Sequence, residues 1–316
     1  MNIQQLTDLE NALLAAGLIV DRIECGRLVR CKTTEDKGQK RSGWYRVFDG
    51  AVIVATFGDW RTGHKGVWVA GGDVSLTDRQ AIEALTRQAK AERLAEQERQ
   101  YQANAERLEI LLQECKPIQP GGAVAQYLNG RGVPLPNTNA LMQHDRLPYW
   151  DGAKMLGYYP AMVAKVTDAA GRLVNLHRTY LTPDGKKADV PIVKKLCASA
   201  GSMAGASIKL GEPVLNKQGD VILGVAEGIE TALSASCLFG VPVWAAVSAH
   251  GLKSFTPPPE VQRVYLLADN DKSGVGQKAA DDCGKRLIRE GFSAGLVIPD
   301  SVGDWNDELL ARRAGV

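Results

Sequence analysis

The sequence predicts an α/β protein: a C-terminal, mostly parallel sheet, preceded by a basic α+β subdomain, a long helical linker and a small N-terminal α+β module. Two apolar runs carry the C-terminal part of this prediction. Val221-Ile-Leu-Gly-Val-Ala ends on Glu227 and turns into a helix-like segment, and Val264-Tyr-Leu-Leu-Ala ends on Asp269-Asn-Asp271 and leads through Lys-Ser-Gly-Val-Gly into another. Continuous apolar runs alternating with helices belong to parallel sheets, whose strands end at one shared edge where ligands bind. The third observation is a stretch without Gly or Pro from Leu76 to about Glu114, which divides this region from short alternating segments before it.

Residues 4–16 read as a short helix with Thr7 as cap and Gly17 as stop. Alternating segments at 27–31, 43–48, 51–57 and 66–70, separated by Asp49-Gly50 and other Gly/Asp-rich turns, predict a small antiparallel sheet, so 1–75 forms a compact module. It interleaves Arg27, Arg30, Lys32, Lys37, Lys40, Arg41 and Arg46 with Trp44, Tyr45, Phe57 and Trp60. That mixture suits single-stranded nucleic acid, and equally a solvated basic loop beside a small aromatic core. Gly58–Lys65 is spaced somewhat like a phosphate-binding loop, but His64 precedes the lysine and Gly66 stands where Ser or Thr is needed, so that reading is excluded.

The stretch 76–114, rich in Ala, Gln, Glu and Arg, is one long helix capped by Thr77 or Asp78. Its apolar positions are too sparse for a buried helix, so it spans domains or self-associates. Lys116-Pro-Ile-Gln-Pro-Gly-Gly is a linker by composition, which completes a helix-and-linker segment over 76–119. In 120–217 a short helix ends at Arg131-Gly, and residues 162–171 and 172–181 form a strand, a turn and a strand. Arg172, Arg178, Lys186, Lys187, Lys194, Lys195 and Lys209 lie immediately upstream of the acidic strand ends. Polyphosphate or a nucleic-acid backbone needs such a positive floor, although lysines also gather in exposed loops. His177 reads as a packed histidine on a strand face as readily as a base.

Composition sets bounds. The 316 residues, 45% hydrophobic and 23% charged, can bury two or three cores, and a net charge of +2 confines any nucleic-acid surface to a local patch. No apolar run reaches bilayer length, and the first residues have neither a basic nor an apolar leader region, so a cytoplasmic protein without membrane contact is expected. Six scattered cysteines form no CxxC pair and the four histidines lie apart, so no zinc is expected.

Carboxylates gathered at a strand edge repel one another, so they need either raised pKa values or a hard divalent cation such as Mg²⁺. Asp304 and Asp307, after the strand-like run 294–298, would complete the ring or support it from behind; which of them reaches metal stays open. Glu227 stands apart and can carry a proton for an attacking or leaving oxygen. Glu230, three residues on, is expected to cap or pair on the surface. Gly274-Val-Gly276, with Asp300 beyond, is spaced like a dinucleotide fingerprint, but Asp269 and Asp271 would repel a pyrophosphate there.

The series Ala226-Glu227-Gly228-Ile229-Glu230-Thr231-Ala232-Leu233, then Leu267-Ala-Asp269-Asn-Asp271-Lys-Ser-Gly274, then Gly303-Asp304-Trp-Asn-Asp307 resembles the three acidic motifs of Toprim domains. Bacterial primases, topoisomerases and some nucleases share that domain. The resemblance covers roughly 218–312 and implies a Rossmann-like Toprim domain over 218–316. Residues 120–217 are similar to the basic subdomain preceding it in bacterial-type primases, and the whole chain resembles the Toprim primase-like proteins of phages, plasmids and integrated mobile elements. The resemblance implies primer synthesis on single-stranded DNA from nucleoside triphosphates with Mg²⁺ or Mn²⁺, a separate helicase supplying unwinding. It makes Glu227 the catalytic acid/base, Asp269, Asp271, Asp304 and Asp307 the metal ligands, and Arg131, with the basic residues named above, the nucleotide and nucleic-acid contacts. Two alternatives stay open: a Toprim nuclease using the same acids on water, and a catalytically idle DNA-binding replication accessory.

Overall fold

The computed structural model describes residues 1–49, 52–71 and 76–315, except the side chains of 76–86 and 89. The chain divides into two compact units, Met1–Gln97 and Glu98–Val316.

The first unit opens with helix α1 (Ile3–Ala15). Its cap is Asn2, not the expected Thr7: the Asn2 side chain accepts the Gln5 amide at 2.8 Å, and the Gln5 side chain accepts the Asn2 amide at 2.9 Å. This reciprocal box satisfies two otherwise orphan donors, whereas the Thr7 hydroxyl merely donates to the Ile3 carbonyl inside the helix. Strands β1 (Leu18–Ile19), β2 (Leu28–Thr33), β3 (Gly43–Asp49), β4 (Ile53–Asp59) and β5 (Lys65–Val69) form an antiparallel sheet in chain order. β1 escapes sequence analysis because two residues are too few to show alternation. Gly50 of the expected Asp49-Gly50 turn, and the side chains of Thr77 and Asp78, lie outside the described residues. Leu9, Leu13, Tyr45, Val47, Ala55 and Phe57 make the core, so two of the interleaved aromatics are structural.

Helix α2 (Leu76–Glu114) runs from the first unit into the second. In its last turns Leu108 is buried, with Leu111 and Leu112 packed beside it, against Tyr149 and Tyr180 of the following sheet. One short apolar stripe therefore buries the end of an otherwise polar helix.

The second unit continues with α3 (Ala123–Gly130) and an antiparallel sheet of β6 (Leu141–Asp151), β7 (Lys154–Thr167), β8 (Leu173–Tyr180) and β9 (Lys194–Leu196), in that order. Sequence analysis found the β7–β8 hairpin but not β6, whose pairing shifts register between His144 and Leu147 and again at Tyr149/Trp150. Such bulges break the two-residue alternation that reveals a strand. Next come β10 (Val214–Leu215), β11 (Val221–Ala226), α4 (Ile229–Phe239), β12 (Val243–Ala245), α5 (Ala249–Lys253), β13 (Arg263–Leu267), α6 (Val275–Arg289), β14 (Ser293–Val297) and α7 (Trp305–Ala314). β12, β11, β13 and β14 are parallel neighbours, and β10 pairs antiparallel with the start of β11. One face of this sheet packs Leu223, Val225, Val264 and Leu266 on Ala280, Cys283 and Leu287 of α6. The other belongs to a core that runs from Tyr127, Leu128, Leu141 and Met162 into Ile229, Ala232, Leu233, Trp305 and Leu309.

Polar ties cross that core. The buried Glu230 carboxylate accepts the Tyr127 hydroxyl and the Lys194 ammonium, both at 2.7 Å. Burial opposes its ionisation, but Lys194 and the hydrogen bonds outweigh it and hold the group at about 2. This corrects the expectation of a surface residue: α4 is buried from Ile229 through Ala235, and its partners come from α3 and β9. Asn306, also buried, donates to the Arg131 carbonyl at 2.7 Å and to Ser234 Oγ at 3.0 Å, and accepts from the Arg131 guanidinium at 3.0 Å. His177 packs beside this seam, where burial, with Lys194 and Arg178, depresses its pKa to about 4 against the pull of Glu230. It is a neutral packed histidine.

Removing the Tyr127 hydroxyl leaves a buried charge short of a donor, a loss of about 2 kcal/mol for a hydrogen bond to a charged group. Tyr127→Phe should therefore lower the thermal unfolding midpoint by about 4–8 °C. An unchanged midpoint would mean that Lys194 alone satisfies Glu230.

Candidate active site at the acidic strand edge

Ala226 of β11 pairs with Leu267 of β13, and Leu267 with Val297 of β14. Glu227, Asp269 and the chain toward Asp304 therefore all leave the sheet at the same edge, as consecutive parallel strands require. The second and third acidic turns are then tied by backbone. The Asn270 amide donates to the Gly303 carbonyl at 2.9 Å and the Gly303 amide to the Asn270 carbonyl at 3.0 Å. The Asn270 side chain donates to the carbonyls of Pro299 and Ser301, and the Trp305 indole to that of Ala268 at 3.1 Å. Gly303 is required: its φ is 149°, and a Cβ would sit 2.7 Å from Asp307 Oδ2.

Asp269 is half-buried. Thr231 donates to its Oδ2 at 3.4 Å, while its Oδ1 is buried without a hydrogen-bond partner among the described residues. Burial first, then the neighbouring Asp304 and, more weakly, Glu227 push its pKa up to about 6, against the Thr231 hydroxyl and the nearby Trp305 amide. Glu227 is also raised, first by burial and then by Asp271, with the Ala249 amide and Lys194 opposing. Its Oε2 lies 3.6 Å from where a Cβ on Gly276 would stand, beside the first turn of α6. Ala249 stands two residues after Val247, the only non-glycine residue with positive φ (71°) among the described residues. A β-branched side chain there is strained, a feature that clusters at functional sites.

The remaining acids are engaged locally. Asp271 accepts the Ser273 hydroxyl and the Gly274 amide, which hold its carboxyl below its ordinary value. Asp304 caps α7 by accepting the amides of Asn306 and Asp307, and Asp307 accepts the Asp304 amide in return. Among the described residues no three His, Cys, Asp or Glu side chains are grouped to hold a metal ion. The expected ring of Asp269, Asp271, Asp304 and Asp307 is thus not assembled, because three of the four direct oxygens to backbone amides. A divalent cation still fits Asp269 itself: its Oδ1 has no hydrogen-bond partner among the described residues, Asp304 and Glu227 act on it electrostatically, and Mg²⁺ takes as few as one or two carboxylates, with water and phosphate oxygens completing its shell.

The basic residues sort into two groups. Arg131 holds Asn306 and stacks over Tyr127, Lys194 holds Glu230, and the charges acting on Lys187 are those of Arg131, Lys194, Glu230 and Asp304. Lys187 itself makes no hydrogen bond or ion pair among the described residues, and burial followed by Arg131 and Lys194 lowers its pKa. The others are engaged elsewhere: Arg172 with Asp168, Lys186 with Asp184, Arg178 with the Leu196 carbonyl, Lys195 with the Trp150 carbonyl and the Tyr149 ring, and Lys209 over Trp244. Sequence analysis missed Tyr127, Asn270, Asn306 and the Val247–Ala249 turn. Asn270 and Asn306 lie inside the second and third acidic motifs, where the acids alone had been singled out.

Residues 222–314 match the family model of the Toprim domain. The C-terminal segment is a Toprim domain. Residues 102–208 match a domain of unknown function (DUF7146). No curated protein matches the chain. Among solved structures it is similar to a DNA primase domain from Pseudomonas aeruginosa (16% identity, 60% of this chain and 67% of that one, TM-score 0.40). It is also similar to the DnaG catalytic core (13%, 62% and 70%, 0.42) and to the zinc-binding and RNA polymerase domains of the Aquifex aeolicus primase (15%, 98% and 80%, 0.43).

The Toprim domain holds Asp269 at a cost. An aspartate whose folded pKa is raised from 3.8 to about 6 favours the protonated fold, so its charge removes stability as pH rises across that window. Allowing for its partial exposure, the loss above pH 7 is about 1–2 kcal/mol. Asp269→Asn should raise the unfolding midpoint by a few degrees at pH 8 without divalent ions, and leave it unchanged below pH 4. A fall at pH 8 would make the carboxylate structural.

Proposed function

We propose that this chain is a metal-dependent nucleotidyltransferase that makes short primers on single-stranded DNA from nucleoside triphosphates. The observation that carries this reading is the meeting of opposite charges: the partly buried Asp269, one oxygen of which has no hydrogen-bond partner among the described residues and which Asp304 and Glu227 act on, and Lys187, which makes no hydrogen bond or ion pair among the described residues and feels Arg131, Lys194, Glu230 and Asp304. A nucleoside triphosphate with its divalent ion presents the complementary charges.

In this reading Asp269, with Glu227 and Asp304 nearby, would hold Mg²⁺ or Mn²⁺, and the ion would supply positive charge to the phosphate oxygens. Lys187 contacts phosphate oxygens. Arg131 and Lys194, fixed by Asn306 and Glu230, add a positive field without having to move, the arrangement that makes electrostatic stabilisation effective. Glu227, raised above the ordinary carboxylate range, accepts the proton of the primer 3′ hydroxyl as that oxygen attacks the α-phosphorus and pyrophosphate leaves. Arg172 and Lys186, exposed on turns, add charge for template phosphates.

Incubation with single-stranded DNA, Mg²⁺ or Mn²⁺ and labelled nucleotides should give extended products. Cleavage without extension would assign the same acids to hydrolysis. Glu227→Gln should keep nucleotide and DNA binding yet slow extension by about 10²- to 10⁴-fold. A rate within about threefold of the parent would remove Glu227 from the chemistry.

A further inference from the structure

The first unit carries a second feature that the acidic edge does not use. Cross-strand neighbours in a sheet point to the same side, so the pairs Arg30↔Trp44, Trp44↔Gly58 and Gly58↔Lys65 put Arg30, Trp44 and Lys65 on one face, with Lys32 two residues along from Arg30. This is the face opposite the Tyr45 and Phe57 side chains of the core. Trp44 is buried on it by the turn between β4 and β5. That turn folds back because position 58 has no side chain: a Cβ there would lie 2.2 Å from the His64 carbonyl oxygen and 3.0 Å from the Trp44 ring. The Trp60 amide then donates to the Ser42 carbonyl at 3.0 Å, and the Trp60 ring comes to rest 6.0 Å from that of Trp44 with the Arg30 guanidinium 4.8 Å from its centroid.

A tryptophan that only fills a core is covered, yet Trp60 is 43% exposed. The same sheet face and the loop between β2 and β3 carry further cations. Asp36 accepts the amides of Thr33 and Ser42 and the Ser42 hydroxyl, closing the loop that carries Lys37, Lys40 and Arg41. The side chains of Lys32, Lys37, Lys40, Arg41 and Lys65 are exposed and make no hydrogen bond or ion pair among the described residues. Glu35 and Asp59 are both taken up by Arg61.

We propose that this face is a binding site for single-stranded nucleic acid, with an unstacked base lying on Trp60 and the flanking phosphates on Arg30, Lys32 and Lys65. An exposed aromatic ring backed by a guanidinium offers a base the π-surface it gives up on unstacking, and flexible lysines on either side follow a phosphate chain without demanding one sequence. A duplex, whose bases are already stacked, gains nothing from Trp60.

The test uses the full chain carrying Asp269→Asn, in EDTA, so that the acidic edge contributes no metal-dependent binding. Fluorescence anisotropy with labelled oligo(dT), oligo(rU) and a mixed duplex reads affinity. Trp60→Ala should weaken single-strand binding at least about fivefold, while Trp60→Phe keeps most of it, since stacking needs a ring rather than an indole. Lys32→Gln with Lys65→Gln should flatten the salt dependence by about 0.7 in the logarithmic slope for each phosphate that is no longer neutralised. The tighter of the two single strands identifies the sugar. Affinity within twofold of the parent in Trp60→Ala, with circular dichroism unchanged, would overturn the proposal, as would a duplex bound as tightly as either single strand. Failure here leaves the primer-synthesis reading standing, since that reading rests on residues of the second unit.

Discussion

Two backbone hydrogen bonds between Asn270 and Gly303 hold together turns that electrostatics would drive apart. Each turn carries an aspartate, and the burial of Asp269, with Asp304 brought beside it, is unfavourable enough to lift Asp269 to about 6. The opposing stabilisation comes from groups without net charge: the reciprocal amides, the Asn270 side chain on two carbonyls, and the Trp305 indole on the Ala268 carbonyl. A neutral scaffold that enforces carboxylate proximity leaves the Asp269 oxygen that has no hydrogen-bond partner among the described residues available to something positive, which is the condition for a functional edge.

The same economy governs the seam between α3, the β6–β9 sheet and the Toprim domain. Glu230 is ionised in the interior because Lys194 and Tyr127 both serve it, and Asn306 uses both ends of its amide on Arg131, with Ser234 as a further partner. Two cations that sequence analysis assigned to nucleic acid are thereby fixed in place. Their fields reach Lys187, the neighbouring cation that no hydrogen bond or ion pair ties down among the described residues.

How much of this was legible depended on the distance over which each feature is specified. The positions of Glu227 and Asp269 could be read because a parallel strand buried on both faces leaves a continuous apolar run, and the residue after the run must sit at the edge. The 39-residue α2 was legible from its lack of Gly and Pro. The local roles of Asp271 and Asp307 were not, since turn and capping geometry decides whether an acid faces outward or accepts its neighbour's amide. Glu230 and Asn306 were least legible: their partners stand 103 and 175 residues earlier, and nothing in a helix heptad marks an acid as buried. Strand β6 was hidden by its own bulges.

The most direct measurement is anomalous diffraction from crystals grown with Mn²⁺ and a non-hydrolysable nucleoside triphosphate. The account predicts a manganese peak bonded to the Asp269 carboxylate through its otherwise unpartnered oxygen, with the triphosphate between that ion and Lys187. Manganese and nucleotide bound together elsewhere, with Asp269 still unpartnered, would contradict it.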